Sequence, residues 1–323
     1  MKDLFVNYKT YQGELKVLNG VNITVNEGEK VGIIGESGCG KTTTMRAILR
    51  ILAANALVKG GCIQFRGKDI LRMDKKELME VRRKHITMIF QDPTAALNPV
   101  FKVKDMLGDV IRFSIGSNSG KLTKEKIHEM CIKVLKEVAL PDPERVLDSY
   151  PFQLSGGMRQ RICISMSLTS ARDLLIADEP TTNLDVTIQD QVLRLIKNLV
   201  DERKLSVILI SHALGAVRGT VDKVYVMYAG NMVETAETEE LFSNPLHPYT
   251  QGLLNSVPKL TGEGFSEGIK GHVPDYLNPP PGCRFHTRCE HARDICMKER
   301  PQFFDANGEK HKVACWLYSK GEK

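Results

Sequence analysis

The stretch Gly35-Glu36-Ser37-Gly38-Cys39-Gly40-Lys41-Thr42 fits the spacing GxxxxGK[ST]; it follows an apolar run at residues 31–34 and precedes a helical pattern from about Thr43. A strand that turns through glycines into a helix confines the chain to an α/β fold with an anion cradle at a strand end. Glycine is needed there because backbone N–H groups must turn inward around phosphate, and side chains would obstruct them. In such a loop Lys41 sets a positive charge against β and γ phosphates, and the Thr42 hydroxyl ligates Mg²⁺. The helix N-terminus adds partial positive charge. Ser37, Gly38, Cys39, Gly40 and Thr43 complete the candidate nucleotide contacts of this segment.

Short β-branched runs at residues 30–34, 86–90, 174–177, 207–210 and 224–227 read as buried strands of a mostly parallel sheet. Helical spacing lies between them at residues 43–52, 127–138 and 188–200. Residues 93–160 carry only helical patterning, which predicts a helical subdomain inserted in the sheet domain. A boundary is expected near residue 235, giving domains 1–235 and 236–323, because Pro and Gly become frequent beyond it and helical periodicity fades. Such a tail needs something besides a large core to hold it.

The chain has 42% hydrophobic and 26% charged residues, and no apolar run approaches the roughly 18 that suggest a membrane span. The N-terminus lacks a secretory pattern, so a cytosolic location with reduced cysteines is expected. The net charge of +6 is dispersed, and clusters such as Arg82-Arg83-Lys84 sit beside Glu77 and Glu80. Without a sustained basic face, nucleic acid is not an expected partner.

Two further segments carry chemistry. Leu174-Leu175-Ile176-Ala177-Asp178-Glu179 is an apolar strand ending in two acids, where a parallel sheet faces its ligand crevice. Asp178 is placed to hold Mg²⁺, and Glu179 suits a general base or a water-positioning group, although two such acids standing alone would more often be helix caps. In Leu154-Ser155-Gly156-Gly157-Met158-Arg159-Gln160-Arg161, a serine and two glycines open a helix and present N–H groups to an anion. A second anion site beside a phosphate loop is hard to explain as structure alone.

Together these segments resemble the ABC ATPase family over roughly residues 4–233. The resemblance implies a P-loop NTPase core of RecA-like type, with Mg²⁺ and ATP as cofactor and substrate. It also implies a head-to-tail dimer in which Ser155, Gly156 and Gly157 cover the ATP held by the partner's loop. Gln91 matches the family's Q-loop glutamine, which touches Mg²⁺. Asn183-Leu184-Asp185 matches the D-loop, and His212 the switch histidine at the γ-phosphate. An N-terminal aromatic should stack on adenine; Tyr8 is the first choice and Tyr11 the second. The sequence departs from the common pattern at Met158, Asn183 and Ala213, none of which removes a named catalytic group.

The segment from Asn244-Pro245-Leu246-His247-Pro248-Tyr249 to Gly282-Cys283-Arg284-Phe285-His286-Thr287-Arg288-Cys289 resembles the extension of dipeptide and oligopeptide permease ATPases, a subgroup that also serves nickel uptake. This implies an importer subunit on the cytoplasmic face of the membrane. Its implied partners are a second, paralogous ATPase subunit, two integral membrane permease subunits and, indirectly, an extracytoplasmic binding protein. A soluble ABC-type ATPase is the alternative, disfavoured by one ATPase half and no long heptad run. Cys283, Cys289, Cys296 and Cys315 are spaced C-x5-C, C-x6-C and C-x18-C, unlike a zinc ribbon. Four thiolates suit tetrahedral Zn²⁺ or an iron–sulfur cluster, or the site holds no metal. The resemblance favours a 4Fe-4S cluster.

Overall fold

The computed structural model describes residues 1–116, 122–182, 184–256, 268–306 and 310–319. In chain order the elements begin with β1 (Lys2–Thr10), β2 (Gly13–Val21), β3 (Lys30–Ile34), α1 (Lys41–Ile48), β4 (Ala56–Cys62) and the short hairpin β5 (Gln64–Phe65) and β6 (Lys68–Asp69). Next come α2 (Lys75–Lys84), β7 (Ile86–Ile89), α3 (Pro93–Ala96), α4 (Val103–Ile115), α5 (Lys124–Glu137), α6 (Pro143–Asp148) and α7 (Gly156–Ser170). They are followed by β8 (Leu174–Asp178), α8 (Val186–Arg203), β9 (Ser206–Ile210), α9 (Leu214–Arg218), β10 (Lys223–Tyr228), β11 (Asn231–Glu237), α10 (Thr238–Ser243) and α11 (Pro248–Asn255). The chain ends with α12 (Asp294–Lys298), β12 (Phe304–Asp305) and β13 (His311–Val313).

Two units can be distinguished. One comprises residues 1–24, 31–72 and 212–323, the other residues 25–30 and 73–211. In the first, β1 is the centre of an antiparallel sheet between β2 and β4. Alternation places Leu4 and Val6 inside, as a sheet with one solvated face requires. This sheet was not legible beforehand, because the chain at β1 and β2 is largely polar outside those few inward positions. The same unit pairs β3 with β10 in parallel, Val31 opposite Lys223, and β10 with β11 antiparallel. Strand β13 then adds to β11, and β12 to β13.

The second unit holds the parallel strands β7, β8 and β9, with Ile86 opposite Leu174 and Leu174 opposite Ser206. Residues 207–210 of β9 are all at most 2% exposed, which explains their continuous apolar run. Its helices follow the expected periodicity: Ile127, Cys131 and Leu135 line one stripe of α5, and Val103, Leu107 and Ile111 one stripe of α4. Asp74 starts α2 with a capping box to Glu77, and Glu80 pairs with Arg83 and Lys84 at its basic end.

The described part of the C-terminal segment packs on β10 through aromatic side chains that its Pro and Gly content does not suggest. Tyr228, Tyr249 and Phe285, each at most 3% exposed, form a small aromatic core with ring centroids 4.6–5.5 Å apart. Periodicity is weak there because the anchoring residues are scattered along the chain rather than repeated.

Candidate functional site

The phosphate loop lies in the first unit. Gly35 has φ +153°, and a Cβ on it would stand 2.1 Å from the Met227 carbonyl oxygen; Gly38, at φ +76°, faces open space. The loop thus needs glycine at Gly35 for packing and at Gly38 for a left-handed turn. Lys41 is 4% exposed, and its Nζ donates to the carbonyls of Gly35 (2.8 Å) and Glu36 (2.9 Å), so its charge is held inside the loop. Gly40 caps α1, the Thr44 hydroxyl donates back to the Gly40 carbonyl, and Thr42 and Thr43 are half-buried in the first turn. Ser37 is exposed, while Cys39 is buried and its thiol pushed above the ordinary range by that burial. The N–H of Gly230 closes on the Cys39 carbonyl at 2.8 Å.

Of the two aromatic candidates, Tyr8 is half-buried on β1, opposite Leu15 of β2 and Ala56 of β4. Tyr11 is fully exposed in the turn between β1 and β2. The connection is tight, Thr10 pairing with Gly13. His212 is exposed, and Ala213, where an aspartate is common, sits at the N-terminus of α9 without a side-chain cap.

The acidic strand end lies in the second unit. Asp178, 1% exposed, closes β8, and Glu179, 8% exposed, follows with φ +48°. That left-handed residue turns the chain at the end of the strand. The Glu179 N–H donates to the Ile210 carbonyl at 2.9 Å. Its Oε2 accepts from Gln91 Nε2 at 2.8 Å and from the Thr182 hydroxyl at 3.2 Å. Gln91 and Glu179, 88 residues apart in sequence, are therefore neighbours, which no spacing rule anticipated.

In the same unit Ser155 is the exposed N-cap of α7, its Oγ accepting from the Met158 N–H at 3.3 Å. Gly156 and Gly157 form the first turn, where an added Cβ on Gly157 would press within 3.1 Å of Ile188. This 15-residue helix presents N–H groups to solvent at its start. Asp185 caps α8 through the Ile188 N–H, whereas Asn183 lies outside the described residues.

Cys283, Cys289, Cys296 and Cys315 line one small pocket in the first unit, together with His247 and Trp316. Burial pushes the Cys283 thiol up to about 12 and Cys315 to about 11, and raises Cys289 as well. The four cysteines thus share one pocket wall and offer soft donors in their chemistry. Among the described residues, however, no group of three or more Cys, His, Asp or Glu is drawn together as a ready metal-ligand set. His247 is 1% exposed and burial lowers its pKa to about 4, so it is neutral. Its Nδ1 accepts the Tyr249 N–H at 3.0 Å, which assigns the ring proton to Nε2, an atom without a hydrogen-bond partner among the described residues.

Sequence reasoning missed the grip of the C-terminal segment on the phosphate loop. The Glu36 N–H donates to the Tyr249 hydroxyl (2.8 Å), and the Tyr276 hydroxyl donates to the Gly38 carbonyl (2.8 Å). Arg288 reaches the Glu36 carboxylate across 252 residues.

Parallel strands that end in a glycine loop with a buried lysine, and in a carboxylate pair fed by a glutamine, define a nucleoside-triphosphate-hydrolysing cassette. Residues 18–182 match the ABC transporter family, and residues 233–296 match the oligopeptide/dipeptide transporter C-terminal region. The chain is 43% identical over 98% of its length, and 88% of the relative's, to the oligopeptide transport ATP-binding protein OppD of Bacillus subtilis (strain 168). It is 43% identical to the dipeptide transport ATP-binding protein DppD of the same organism, over 98% of this chain and 93% of that one. Among solved structures it resembles cbiO1 of Clostridium perfringens, described as part of the ABC transporter complex cbiONQ (TM-score 0.60, 28% identity, 75% of this chain and 91% of that one). It also shares the fold of the dimeric ATP-binding cassette MJ0796 in a post-hydrolysis state with ADP and Pi (TM-score 0.64, 24% identity, 73% and 97%). The chain belongs to the ABC transporter family.

Proposed function

We propose that this chain is the ATP-binding and ATP-hydrolysing subunit that energises an importer of dipeptides or oligopeptides. The observation that carries the reading is the Gln91–Glu179 hydrogen bond at the end of an apolar strand, in a chain whose phosphate loop already buries a lysine. A buried carboxylate with an amide donor on one oxygen is held for a task, and in this family that task is water. Full-length likeness to peptide transport subunits supports the cargo class.

In this reading Lys41 and the N–H groups from Gly38 to Thr43 bind the phosphates, with Ser37 at the loop mouth, and Tyr8 supports the adenine ring. Thr42, Gln91 and Asp178 offer hard oxygen donors that fit Mg²⁺, which neutralises charge on the β and γ phosphates when bound. Glu179 takes a proton from water as its oxygen attacks the γ-phosphorus; the bond to the bridging oxygen breaks and ADP departs. His212 contacts the γ-phosphate. Ser155, Gly156 and Gly157 serve the ATP of a second subunit, a paralogue in a head-to-tail dimer, beside two membrane permease subunits. No described helix is long and apolar enough to cross a membrane, which agrees with peripheral attachment at the cytoplasmic face through those partners.

Cys283, Cys289, Cys296 and Cys315 would hold a 4Fe-4S cluster, a group that pins an extension with a small core when bound. That all four line one pocket supports this; because three of the thiols are raised by burial, loading must displace protons.

The test is Glu179→Gln. The variant retains ATP binding while steady-state turnover falls by about 10²-fold or more; turnover at the wild-type rate would show that the base is wrongly assigned.

A further inference from the structure

Glu36 puts a carboxylate in the second position of a loop built to receive phosphates. Unopposed, that charge would repel the ligand the loop serves. It is opposed by a residue from the far end of the chain: Arg288 Nη1 donates to Glu36 Oε2 at 2.8 Å and Nη2 to Oε1 at 3.1 Å, a bidentate pair. The Arg288 side chain is 4% exposed, Glu36 26%.

Every N–H of the guanidinium is used. Nε donates to the Lys270 carbonyl (2.9 Å), Nη2 also to the Ile269 carbonyl (2.9 Å), and Nη1 also to the Tyr228 hydroxyl (3.4 Å). Five donors on five acceptors fix the fork in one orientation, which a lysine could not reproduce. Arg288 itself ends the short turn His286–Arg288, between Cys283 and Cys289. Glu36 is held at its other polar atoms too: the N–H by Tyr249, and the carbonyl by Lys41 Nζ. The lysine that meets the phosphates and the arginine of the C-terminal segment therefore converge on one residue.

We propose that Arg288 is a positioning residue for nucleotide binding: it neutralises and orients Glu36, so that the phosphate loop offers its lysine and N–H groups to ATP without a competing negative charge. The proposal rests on the reading of residues 35–42 as the ATP phosphate loop, and deepens it. It makes the C-terminal segment part of the nucleotide site's electrostatics.

The experiment is a double-mutant cycle on the full chain, measuring the dissociation constant of Mg²⁺ with the non-hydrolysable analogue AMP-PNP by calorimetry, with thermal melts as a check of folding. Arg288→Met fills the same channel without charge and should weaken binding about tenfold in the native background. In the Glu36→Gln background the same change should alter binding by less than about twofold, since no carboxylate is left to expose. Arg288→Lys keeps the charge but loses the fork, so it should weaken binding by an intermediate factor of about threefold in the native background and by less than about twofold in the Glu36→Gln background. A loss from Arg288→Met that is equal in both backgrounds would mean the arginine merely holds the segment in place, and would overturn the proposal; so would unchanged affinity. If Arg288→Met does not fold, Arg288→Lys decides alone: a loss confined to the native background supports the proposal, and a loss equal in both backgrounds, or none in either, overturns it. Lys41→Ala serves as the separate control: undiminished binding there would sink the phosphate-loop reading itself.

Discussion

Glu234 is a fully buried carboxylate with three partners. It lies on β11, accepts the N–H groups of Leu246 (2.8 Å) and His247 (2.9 Å), and pairs with His311 Nε2 at 2.7 Å. Desolvation works against protonating His311, but the carboxylates of Glu234 and Glu240 prevail and raise its pKa above the ordinary value. The other charged groups nearby, Lys310 with Glu237 and Lys312 with Asp305, are paired at the rim. A raised histidine contributes stability that is complete below its unfolded pKa of about 6.5 and is lost as pH rises through the folded value. The melting temperature of His311→Gln should therefore lie furthest below the native one near pH 6, and the gap should narrow toward pH 8 and 9. A gap that widens with pH would contradict the assignment. Removing the other partner, Glu234→Ala, leaves a buried cation and two orphaned N–H groups, at a cost of about 3–5 kcal/mol.

At the scale of elements, α7 starts at an exposed serine cap, the residue that the proposed function gives to a second subunit's ATP. Its cap, Ser155, holds the Met158 N–H, and the remaining N–H groups of Gly156 and Gly157 stay available at an exposed end. Ser155→Ala should cost only about 1 kcal/mol of helix stability. If the serine also meets a neighbour's γ-phosphate, ATP turnover in the assembled transporter should fall by about tenfold or more at temperatures where the variant is fully folded. Turnover that declines only in step with unfolding would reduce Ser155 to a helix cap. The helix was legible because Ser-Gly-Gly before an apolar run is a local start signal. The antiparallel sheet of β1, β2 and β4 was not, since its pairing joins Leu4 to Val21 and Lys2 to Cys62 with register shifts that break simple alternation.

For the molecule as a whole, the C-terminal segment joins the first unit by β13 on β11, by the aromatic core and by three hydrogen-bonding side chains on the phosphate loop. A cluster on the four cysteines would tighten that attachment. Anaerobic reconstitution of the full chain should give iron, acid-labile sulfide and broad visible absorbance, all lost when the four cysteines are replaced by serine; an iron-free, colourless protein would leave zinc or no metal.

What the sequence by itself determined is the local chemistry: the glycine loop and Lys41, the acids that end β8, the cap at Ser155, and the four thiols. Each is written in a few consecutive residues, because a turn, a strand end or a helix start is fixed by backbone sterics within that span. The tertiary structure alone decided which of these residues share a partner. Gln91 meets Glu179 across 88 residues, and Arg288 meets Glu36 across 252. Such meetings depend on where packed strands bring distant loops, and on whether burial forces a charge to find its opposite, so no spacing in the chain encodes them.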